Sequence, residues 1–461
     1  MIKRKLNEIQ KMVSGSGLKS SFEKIQIDGV SIDSRAVNEG NLFIPIVRIK
    51  DGHNYVKDAI DNGAAASLWE KDYPNPPKDI PLIFVDNTLL ALQKLATNYR
   101  KQLSAKVIGV TGSNGKTTTK DMIYSILSTR FKVHKTKGNL NSEYGLPLTL
   151  LAVSEDDEVA VLEMGMSNRG EIETLSMIAQ PDIAIITMIG SSHIATLGSR
   201  EEIANAKLEI IAGIKDNGLL IFYGDEPLLK KVNKNGDKKL RYTSFGISEK
   251  NDIYQTNVQV NSEKIQFKIN SKESPTYSLN LIGKHNINNA LAAISVAKEL
   301  EITDEEIIIG LEELALSGMR MQQIKSDHGY TIINDAWNAS PNSVQAAIET
   351  FHELSGYNRK ILILSDMLEL GENEIDYHKE IGKLIVQHNI DFLFTYGELA
   401  KFISIEAQKV FGMERVISYV DKKSLIDKVK GFVKPNDAIL VKGSRGMALE
   451  DVVNALLDVT Q

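Results

Sequence analysis

Short apolar runs alternate with amphipathic stretches along most of the chain. From about residue 105, helical stretches separate the apolar runs KVIGV, EVAVLEM, DIAIITMI and GLLIFYG. Short continuous apolar runs that alternate with helices are typical of a parallel sheet covered on both faces. A second series follows nearer the C-terminus, where each run is again followed by a helix: YTIINDAW, KILILSDM, DFLFTYG and AILVKGS. The pattern therefore predicts two open parallel sheets in succession.

The first hundred residues mix shorter strand-like runs with helical ones. The stretch SIDSRAVNEGNLFIPI predicts strand, turn and strand, and YPNPPKDIPL is rich in proline and predicts a loop. We predict an α/β fold of three consecutive domains at residues 1–102, 103–315 and 316–461. The central domain would hold a P-loop-type parallel sheet and the last a Rossmann-like open sheet, with ligands at strand C-terminal ends and between domains.

Composition limits the classes of function. A chain of 461 residues is too long for one ordinary core, which agrees with several domains. The formal net charge of -6 and the absence of a long basic cluster argue against nucleic acid as the main partner. Cysteine is absent, which excludes disulfides, thiolate metal sites and a cysteine nucleophile. With no signal-peptide pattern and no apolar run of membrane-spanning length, we expect a cytoplasmic protein without membrane insertion.

The stretch GVTGSNGKTTTK at residues 109–120 nearly matches a phosphate-binding loop. The general pattern G-x-x-x-x-G-K-[ST] places a glycine where this chain has Val110. A predicted strand precedes the loop and a helix follows it, so backbone N–H groups and the helix dipole favour an anion there. A glycine-rich turn without function is the alternative, but the Gly-Lys-Thr triplet favours a nucleotide site. The expected nucleotide-binding residues are Gly112, Ser113, Asn114, Gly115, Lys116, Thr117 and Thr118.

Two further side chains follow the next strands of the predicted sheet. Glu163 comes at the end of the run EVAVLEM, and His193 lies in the loop after DIAIITMI. Either residue alone could be structural. Together, beside a loop whose Thr117 offers a hydroxyl to magnesium, they favour a metal site.

With these residues in order, the sequence resembles the Mur ligase family, the ATP-dependent amide-forming enzymes of cell-wall precursor assembly. The family writes its phosphate loop as Gly-x-x-Gly-x-x-Gly-Lys-[Thr/Ser], which the glycines at 109, 112 and 115 match together with Lys116 and Thr117. Four further segments are similar to family motifs: TKGNLNSEYGLPLTLL, SREEIANAKLEII, GKHNINNALAA and SGMRMQ.

The resemblance implies roles for the residues of these segments. Asn139 and Asn141 would face substrate or nucleotide. His285, Asn286 and Asn289 would lie near the adenine of ATP, and Arg320 would reach the nucleotide phosphates. Lys207 would be carbamylated, although an ordinary solvent-facing lysine is the alternative. The implied catalytic residues are Lys116, Glu163, His193 and Lys207, with two magnesium ions, one on Thr117 and Glu163 and one near His193 and the Lys207 carbamate.

The C-terminal motifs DAWNASPNSVQAAI and LSDMLELG are similar to those of the D-alanyl-D-alanine-adding branch of the family. That likeness implies UDP-N-acetylmuramoyl-tripeptide and D-alanyl-D-alanine as substrates. The N-terminal segment IDSRAVNEGNLFIPI is similar to the one by which the tripeptide-adding and dipeptide-adding branches hold the uridine nucleotide, which implies that role for Ser34 and Arg35. Asp335 would meet ATP or hold its loop, and Asn338 and Ser340 would position the dipeptide. Turn and helix-capping roles remain alternatives for these last residues.

The chain departs locally from the branch pattern. Trp337 replaces the usual tyrosine, Ser340 an asparagine and Ser365 a glycine, and the usual Leu-Lys-Gly before Asp51 is absent. Lys442 and Arg445 follow a strand and could bind a carboxylate, a role left open. We expect a monomer whose domains close on nucleotide binding.

Other functions compete with this interpretation. A different Mur ligase or a folylpolyglutamate synthase would share the fold. A nucleotide-switch protein is a rival from another class, but the guanine-reading Asn-Lys-x-Asp is missing, since NKNG at 233–236 has glycine in place of the aspartate.

Overall fold

A computed structural model describes residues 1–48, 50–230, 239–261 and 264–457 of the chain. The NKNG segment at 233–236 lies outside the described residues. Three sheets with flanking helices follow one another along the chain, and a two-stranded ribbon lies at the N-terminus. The mixed α/β class predicted above is confirmed.

The N-terminal region holds a four-stranded parallel sheet, in the order β3-β4-β5-β6, and the antiparallel ribbon β1-β2. Its elements are β1 Lys3–Lys5, α1 Leu6–Val13, β2 Gln26–Asp28, β3 Val30–Ser31, β4 Leu42–Phe43, α2 Val56–Asp61, β5 Ala66–Glu70, β6 Leu82–Val85 and α3 Thr88–Arg100. The Asn87 side chain caps α3 by accepting a hydrogen bond from the Leu90 N–H at 2.9 Å.

The central region contains a nine-stranded sheet in the order β15-β14-β13-β12-β11-β10-β7-β9-β8. Its strands are β7 Lys106–Thr111, β8 Val133–Lys135, β9 Val159–Glu163, β10 Ile183–Ile186, β11 Leu219–Tyr223, β12 Arg241–Gly246, β13 Ile253–Val260, β14 Ile265–Ile269 and β15 Tyr277–Leu279. Its helices are α4 Lys116–Leu127, α5 Gly145–Ala152, α6 Glu171–Ala179, α7 Ile194–Leu197, α8 Arg200–Leu208, α9 His285–Glu299 and α10 Asp304–Glu312. The predicted strands pair in parallel, whereas β13, β14 and β15 pair antiparallel and extend one edge.

The C-terminal region contains a six-stranded sheet in the order β16-β17-β21-β18-β19-β20. Its strands are β16 Gln322–Lys325, β17 Thr331–Asp335, β18 Arg359–Ser365, β19 Phe392–Tyr396, β20 Val416–Tyr419 and β21 Asp437–Lys442. Its helices are α11 Pro341–Glu353, α12 Glu374–Ile385, α13 Lys401–Phe411, α14 Lys422–Lys430 and α15 Glu450–Leu456. The four predicted strands β17, β18, β19 and β21 pair in parallel, and β16, which was not predicted, adds an antiparallel edge against β17.

The first two regions share one hydrophobic core, which runs from Ile2 in the N-terminal region to Leu229 in the central one. Arg100 is buried at their junction, where its guanidinium bonds to the Ala179 carbonyl at 2.8 Å and to Asp182 at 3.0 Å. The C-terminal region has two core clusters of its own, one of which includes Ile282 of the central region. Each sheet lies inside one predicted domain, and the domain limits at 102 and 315 stay predictions. None of the helices within the described ranges combines the length and apolar character needed to cross a membrane.

Candidate active site between the central and C-terminal regions

A cavity of about 700 Å³ lies where the carboxyl ends of β7, β9 and β10 face the carboxyl ends of β17 and β21. This is the edge at which parallel α/β sheets bind ligands. Most of the residues predicted to form the site line this cavity: Ser113, Asn114, Gly115, Lys116, Thr117, Thr118, Asn141, Glu163, His193, Lys207, Asn286, Asn289, Arg320, Asp335 and Asn338. The chain thus brings together in space residues that are separated by more than two hundred positions in sequence.

Two glycines give the phosphate loop its shape. Gly112 and Gly115 have φ values of 148° and 85°, in the region that side chains rarely adopt. A Cβ atom at Gly112 would lie 1.9 Å from Thr187 Oγ1, and one at Gly115 would lie 2.4 Å from Asn289 Oδ1. Neither position can therefore carry a side chain. Helix α4 begins directly after Gly115, so its first-turn N–H groups have no acceptor within the helix and favour an anion.

The Lys116 amine lies over this loop. Its Nζ donates to the Gly112 carbonyl at 2.7 Å and to the Ser113 carbonyl at 3.4 Å. Burial lowers the pKa of Lys116, while the charge of Glu163 opposes that shift. Carbonyl oxygens compensate a buried ammonium only in part, so the loop favours a negatively charged ligand.

Glu163 connects the loop to its neighbours. Its side chain is buried, with Oε2 accepting from the Thr117 hydroxyl at 2.8 Å and Oε1 accepting from Asn141 Nδ2 at 2.8 Å. The Glu163 N–H in turn donates to Thr136 Oγ1 at 3.0 Å, which holds the end of β9 in place. Carboxylate, hydroxyl and amide oxygens are the hard donors that Mg²⁺ prefers, so this donor set fits magnesium.

No group of three histidine, aspartate or glutamate side chains within the described ranges is arranged to hold a metal ion by itself. A magnesium ion beside Glu163 would therefore take further ligands from hydroxyl, amide, water or substrate oxygens. That requirement is ordinary for Mg²⁺, which is usually bound by one or two carboxylates together with substrate phosphates.

His193 reaches the cavity from the loop after β10. The residue has a left-handed backbone with φ of 64° and directly precedes α7. A carboxylate oxygen of Glu369, from the C-terminal region, lies 3.0 Å from its Nδ1. Burial lowers the pKa of His193, Lys116 lowers it further and Glu369 opposes both. A neutral imidazole is the form that can bind a metal.

Lys207 lies on α8 and is not the solvent-facing lysine that was the alternative. Its side chain is only 2% exposed and lines the cavity. Within the described part of the chain, no carboxylate lies at salt-bridge distance from its amine. Burial, and next the charge of Lys116, lower the pKa of Lys207 well below its ordinary value. The amine is therefore readily uncharged, which an addition reaction at nitrogen requires.

The C-terminal wall of the cavity carries charges that are paired. Lys442 Nζ donates to Asp335 Oδ2 at 2.6 Å and to the Asn338 carbonyl at 2.9 Å. The ring of Trp337 lies 5.1 Å from the Arg320 guanidinium carbon and 5.0 Å from that of Arg445. Arg445 also bonds to Glu450. Lys442 and Arg445 thus each have a carboxylate partner in this wall, whereas Arg320 contacts the Trp337 ring.

Some predicted site residues lie outside the cavity lining. Asn139 is exposed, and Ser340 is a buried residue at the start of α11, where its side chain and that of Ser343 form a capping box. Asn114 Nδ2 lies 3.5 Å from Ser340 Oγ and so links the phosphate loop to α11. Gly112 belongs to the loop but lies behind its inner surface, against Thr187.

Ser34 and Arg35 lie in the N-terminal region, away from the cavity. They form a single turn of 3-10 helix at Ser34–Ala36, capped by Asp33. The Arg35 side chain is 87% exposed and bonds to Asp33 at 3.0 and 2.8 Å. Those bonds lower the pKa of Asp33 to about 2. The roles of Ser34 and Arg35 stay predictions.

Sequence reasoning missed two residues that hold parts of the site together, one within the central wall and one across the two walls. Thr187 Oγ1 donates to the Asn114 carbonyl at 2.6 Å and so supports the phosphate loop from the end of β10. Asn342 Oδ1, on α11, accepts from the Ser191 N–H at 3.2 Å and from its hydroxyl at 3.0 Å. Thr187 follows a strand as Glu163 does, and that position was the signal available for it. For Asn342 the sequence carries no signal beyond the start of a helix.

Two family descriptions match the chain. Residues 110–297 match the Mur ligase middle domain, and residues 319–445 match the Mur ligase glutamate ligase domain. Both matches include walls of the cavity described above.

Relatives and solved structures agree with these matches. The chain is 48% identical over 459 residues to UDP-N-acetylmuramoyl-tripeptide--D-alanyl-D-alanine ligase of Bacillus subtilis (strain 168), covering 99% of each chain. It is similar to a crystal structure of MurF from Acinetobacter baumannii, with a TM-score of 0.89, 27% identity and 99% of each chain covered. It is also similar to the MurF ligase from Thermotoga maritima in complex with ADP, with a TM-score of 0.81, 29% identity, and 93% of this chain and 97% of that chain covered.

Proposed function

The chain belongs to the Mur ligase family, and on that premise we propose that it joins D-alanyl-D-alanine to UDP-N-acetylmuramoyl-tripeptide with conversion of ATP to ADP and phosphate. The product would be the pentapeptide precursor of peptidoglycan. The observation that carries the proposal is the cavity itself, in which a phosphate loop whose Lys116 has no carboxylate partner among the described residues faces a second α/β sheet whose Lys442 is paired with Asp335. One side suits a triphosphate and the other suits an acceptor peptide.

The first step activates a poor electrophile. A carboxylate oxygen of the tripeptide attacks the γ-phosphorus of ATP, the bond from that phosphorus to the bridging oxygen breaks, and ADP leaves. Negative charge is spread over the transferring oxygens, so catalysis depends on positioning and electrostatics. Lys116 and Arg320 supply the positive charge, and the N–H groups at the start of α4 orient the phosphates.

The second step forms the amide. The amine of D-alanyl-D-alanine attacks the carbonyl carbon of the acyl phosphate and gives a tetrahedral intermediate. The carbon–oxygen bond then breaks, phosphate leaves, and the nitrogen loses a proton. The acceptor would lie against the C-terminal wall, near Asn338 and Ser340, where the cations are already paired and a zwitterion adds no net charge.

Magnesium fits the central wall. Thr117 and Glu163 would hold one ion and His193 and a carbamylated Lys207 a second, and such ions neutralise charge on phosphoryl oxygens. The carbamate forms when the uncharged Lys207 nitrogen attacks carbon dioxide and loses a proton, which creates an anionic oxygen ligand from a buried base. An unmodified ammonium there would repel the metal.

The remaining assignments rest on the family resemblance. Asn286 and Asn289 line the end of the cavity beside α9 and would face the adenine, while Asp335 would meet the nucleotide or hold its loop. Asn139 and Asn141 would face substrate or nucleotide, and Ser34 and Arg35 would hold the uridine nucleotide. We propose that the chain acts as a cytoplasmic monomer without nucleic-acid partners.

Phosphate release tests the reaction and its specificity together. We expect release with ATP, UDP-N-acetylmuramoyl-tripeptide and D-alanyl-D-alanine, in proportion to pentapeptide formed, and none when either acceptor substrate is omitted. Release without any acceptor would instead indicate a nucleotide switch. Ligation of a free amino acid but not of the dipeptide would indicate another member of the fold.

The carbamate has a test of its own that does not depend on turnover. Protein equilibrated with carbon-13 bicarbonate should show a carbamate carbon signal by NMR. Lys207→Arg, which keeps a long cationic side chain but has no amine to modify, should lack the signal. An identical spectrum for the parent and Lys207→Arg would exclude carbamylation at this residue.

A further inference from the structure

The segment that joins the central and C-terminal regions is held at two points by aspartate side chains. The Ser317 N–H donates to Asp121 Oδ2 at 2.8 Å, and the Met321 N–H donates to Asp335 Oδ1 at 3.2 Å. Asp121 lies on α4, the helix that follows the phosphate loop, whereas Asp335 ends β17. Arg320 lies between the two anchored positions. One carboxylate from each side thus holds the backbone that carries this arginine.

The backbone between the anchors is constrained. Met319 and Met321, on either side of Arg320, have φ values of 60° and 48°. Left-handed conformations at residues other than glycine persist only where the surrounding contacts enforce them. The arginine side chain itself lies with its guanidinium carbon 5.1 Å from the centroid of the Trp337 ring, and it lines the cavity. The anchors therefore fix the direction in which Arg320 leaves the backbone.

Asp121 is built to present one oxygen to this segment. The residue is 1% exposed, and its Oδ1 lies 2.8 Å from Lys135 Nζ and 3.3 Å from Lys120 Nζ. Lys120 is itself tied by a 2.9 Å bond to the Thr136 carbonyl. With two cations on Oδ1, the carboxylate cannot rotate without losing charge-assisted bonds, and Oδ2 stays directed at the Ser317 N–H.

We propose that Asp121 is a positioning residue for Arg320, fixing the interdomain segment to the phosphate-loop helix so that the guanidinium stays at the cavity. Because α4 begins at Lys116, a single rigid helix then sets the spacing between Lys116 and Arg320. Rotation of the C-terminal region relative to the central one would have to occur after Ser317, within residues 318–321.

Tryptophan emission reports this geometry without any reaction. The chain has two tryptophans, Trp69 and Trp337. In a Trp69→Phe parent, the fluorescence comes from Trp337, which contacts Arg320. In that parent, Asp121→Ala removes the carboxylate that accepts the hydrogen bond from Ser317. Ser317→Pro removes the backbone N–H that donates it. The matched control is Ser317→Ala, which keeps the backbone N–H, while Lys135→Gln removes one of the two cations on Oδ1 and weakens the anchor only in part.

We expect Asp121→Ala and Ser317→Pro to shift the Trp337 emission and to raise KM for ATP about tenfold, with a smaller change in kcat. Ser317→Ala should keep both values of the parent, and Lys135→Gln should lie between the parent and Asp121→Ala. A role confined to general stability would lower the melting temperature of Asp121→Ala without shifting the emission of Trp337.

The proposal is overturned if folded Asp121→Ala keeps the emission and the KM of the parent. Should that variant fail to fold, the comparison of Ser317→Pro with Ser317→Ala decides by the same two measurements. The kinetic measurement rests on the proposed ATP-dependent function, but the emission does not. A chain with no ligase activity would therefore leave the emission result standing and refute the function alone.

Discussion

The two walls of the cavity carry positive charge in opposite ways. On the C-terminal wall, Lys442 is 3% exposed and its amine lies 2.6 Å from Asp335. On the central wall, Lys207 is just as buried, yet no carboxylate of the described residues lies within salt-bridge distance, and nearby Lys116 bonds only to loop carbonyls. The two lysines Lys442 and Lys207 are equally buried, but only Lys442 has a carboxylate partner among the described residues.

The difference indicates what each wall is prepared to bind. Unpaired buried amines are unfavourable until an anion arrives, so the central wall gains most from a triphosphate or from conversion of an amine to an anionic carbamate. The C-terminal wall has no such deficit and suits a ligand without net charge. The comparison is testable, because replacing a buried lysine by methionine should have different effects on the central wall and on the C-terminal wall.

The largest expected effect is at Lys116. Lys116→Met removes the cation from the phosphate loop, and we expect kcat/KM for ATP to fall by about a thousandfold. The fold should be unaffected, as checked by circular dichroism. Lys272→Met, at an exposed lysine of the same region, is the control and should keep parental activity. If Lys116→Met kept more than a tenth of the parental activity, the central wall would not depend on this cation and the contrast between the two walls would be wrong.

The second effect is a loss of stability on the paired wall. Lys442→Met leaves the Asp335 carboxylate without its buried partner, and we expect the free energy of unfolding to fall by about 3 kcal/mol. Denaturant titration measures this change. Adding Asp335→Asn to Lys442→Met should recover part of the loss, since the unpaired charge is then gone. An unchanged midpoint in the single variant would show that the pair adds nothing.

The third effect has the opposite sign. Lys207→Met removes a buried amine that has no carboxylate partner among the described residues. We expect the free energy of unfolding, measured in buffer free of carbon dioxide, to rise by about 1 kcal/mol. Burial lowers the pKa of Lys207 below the ordinary 10.5, so the unfolded chain binds a proton that the folded chain releases. The free energy of unfolding of the parent therefore falls as the pH drops below 10.5, the ordinary pKa of a lysine, and stops falling once the pH is below the lowered pKa of folded Lys207. Over the same pH range the stability gained by Lys207→Met grows. A gain that does not depend on pH would contradict this account.

The smallest effect is expected in the N-terminal region, outside both walls. Arg35 is exposed and already bonded to Asp33. If it holds the uridine nucleotide, Arg35→Ala should raise KM for UDP-N-acetylmuramoyl-tripeptide by about fivefold and leave kcat and the KM for ATP unchanged, as for a contact made equally in ground and transition states. Arg241→Ala, at an exposed arginine of the central region, serves as control. Equal KM values in both variants would remove Arg35 from the substrate site.

Much of the fold could be predicted because continuous apolar runs mark buried parallel strands. β7, β9, β10 and β11 and four strands of the C-terminal sheet follow that pattern. The strand β13 and the edge strand β16 did not stand out, because each is half exposed and polar, and their formation depends on a neighbouring strand. The family resemblance inferred from the motifs is confirmed by the matches over the chain.

The site residues also fall into those that could be predicted from the sequence and those that could not. Lys116, Thr117 and Glu163 could be placed from sequence, since a glycine-rich turn between strand and helix and a carboxylate at a strand end are local features. The sequence alone could not exclude that Lys207 faces solvent, because the spacing of residues on α8 does not show which side of the helix packs inward. Asn342 and Asp121 were missed for a related reason, since each acts through a residue more than 150 positions away.

By itself, the sequence determined the phosphate loop: its glycines allow the left-handed turn, and Lys116 begins the helix that follows. It also determined which residues lie at the ends of buried strands. Only the tertiary structure decided which buried cations have partners. Lys442 meets Asp335 across 107 positions, and Lys207 meets no carboxylate in the described chain. Apolar periodicity encodes which face of an element is buried, whereas pairing depends on which distant segments the packed sheets bring within a few ångströms of each other.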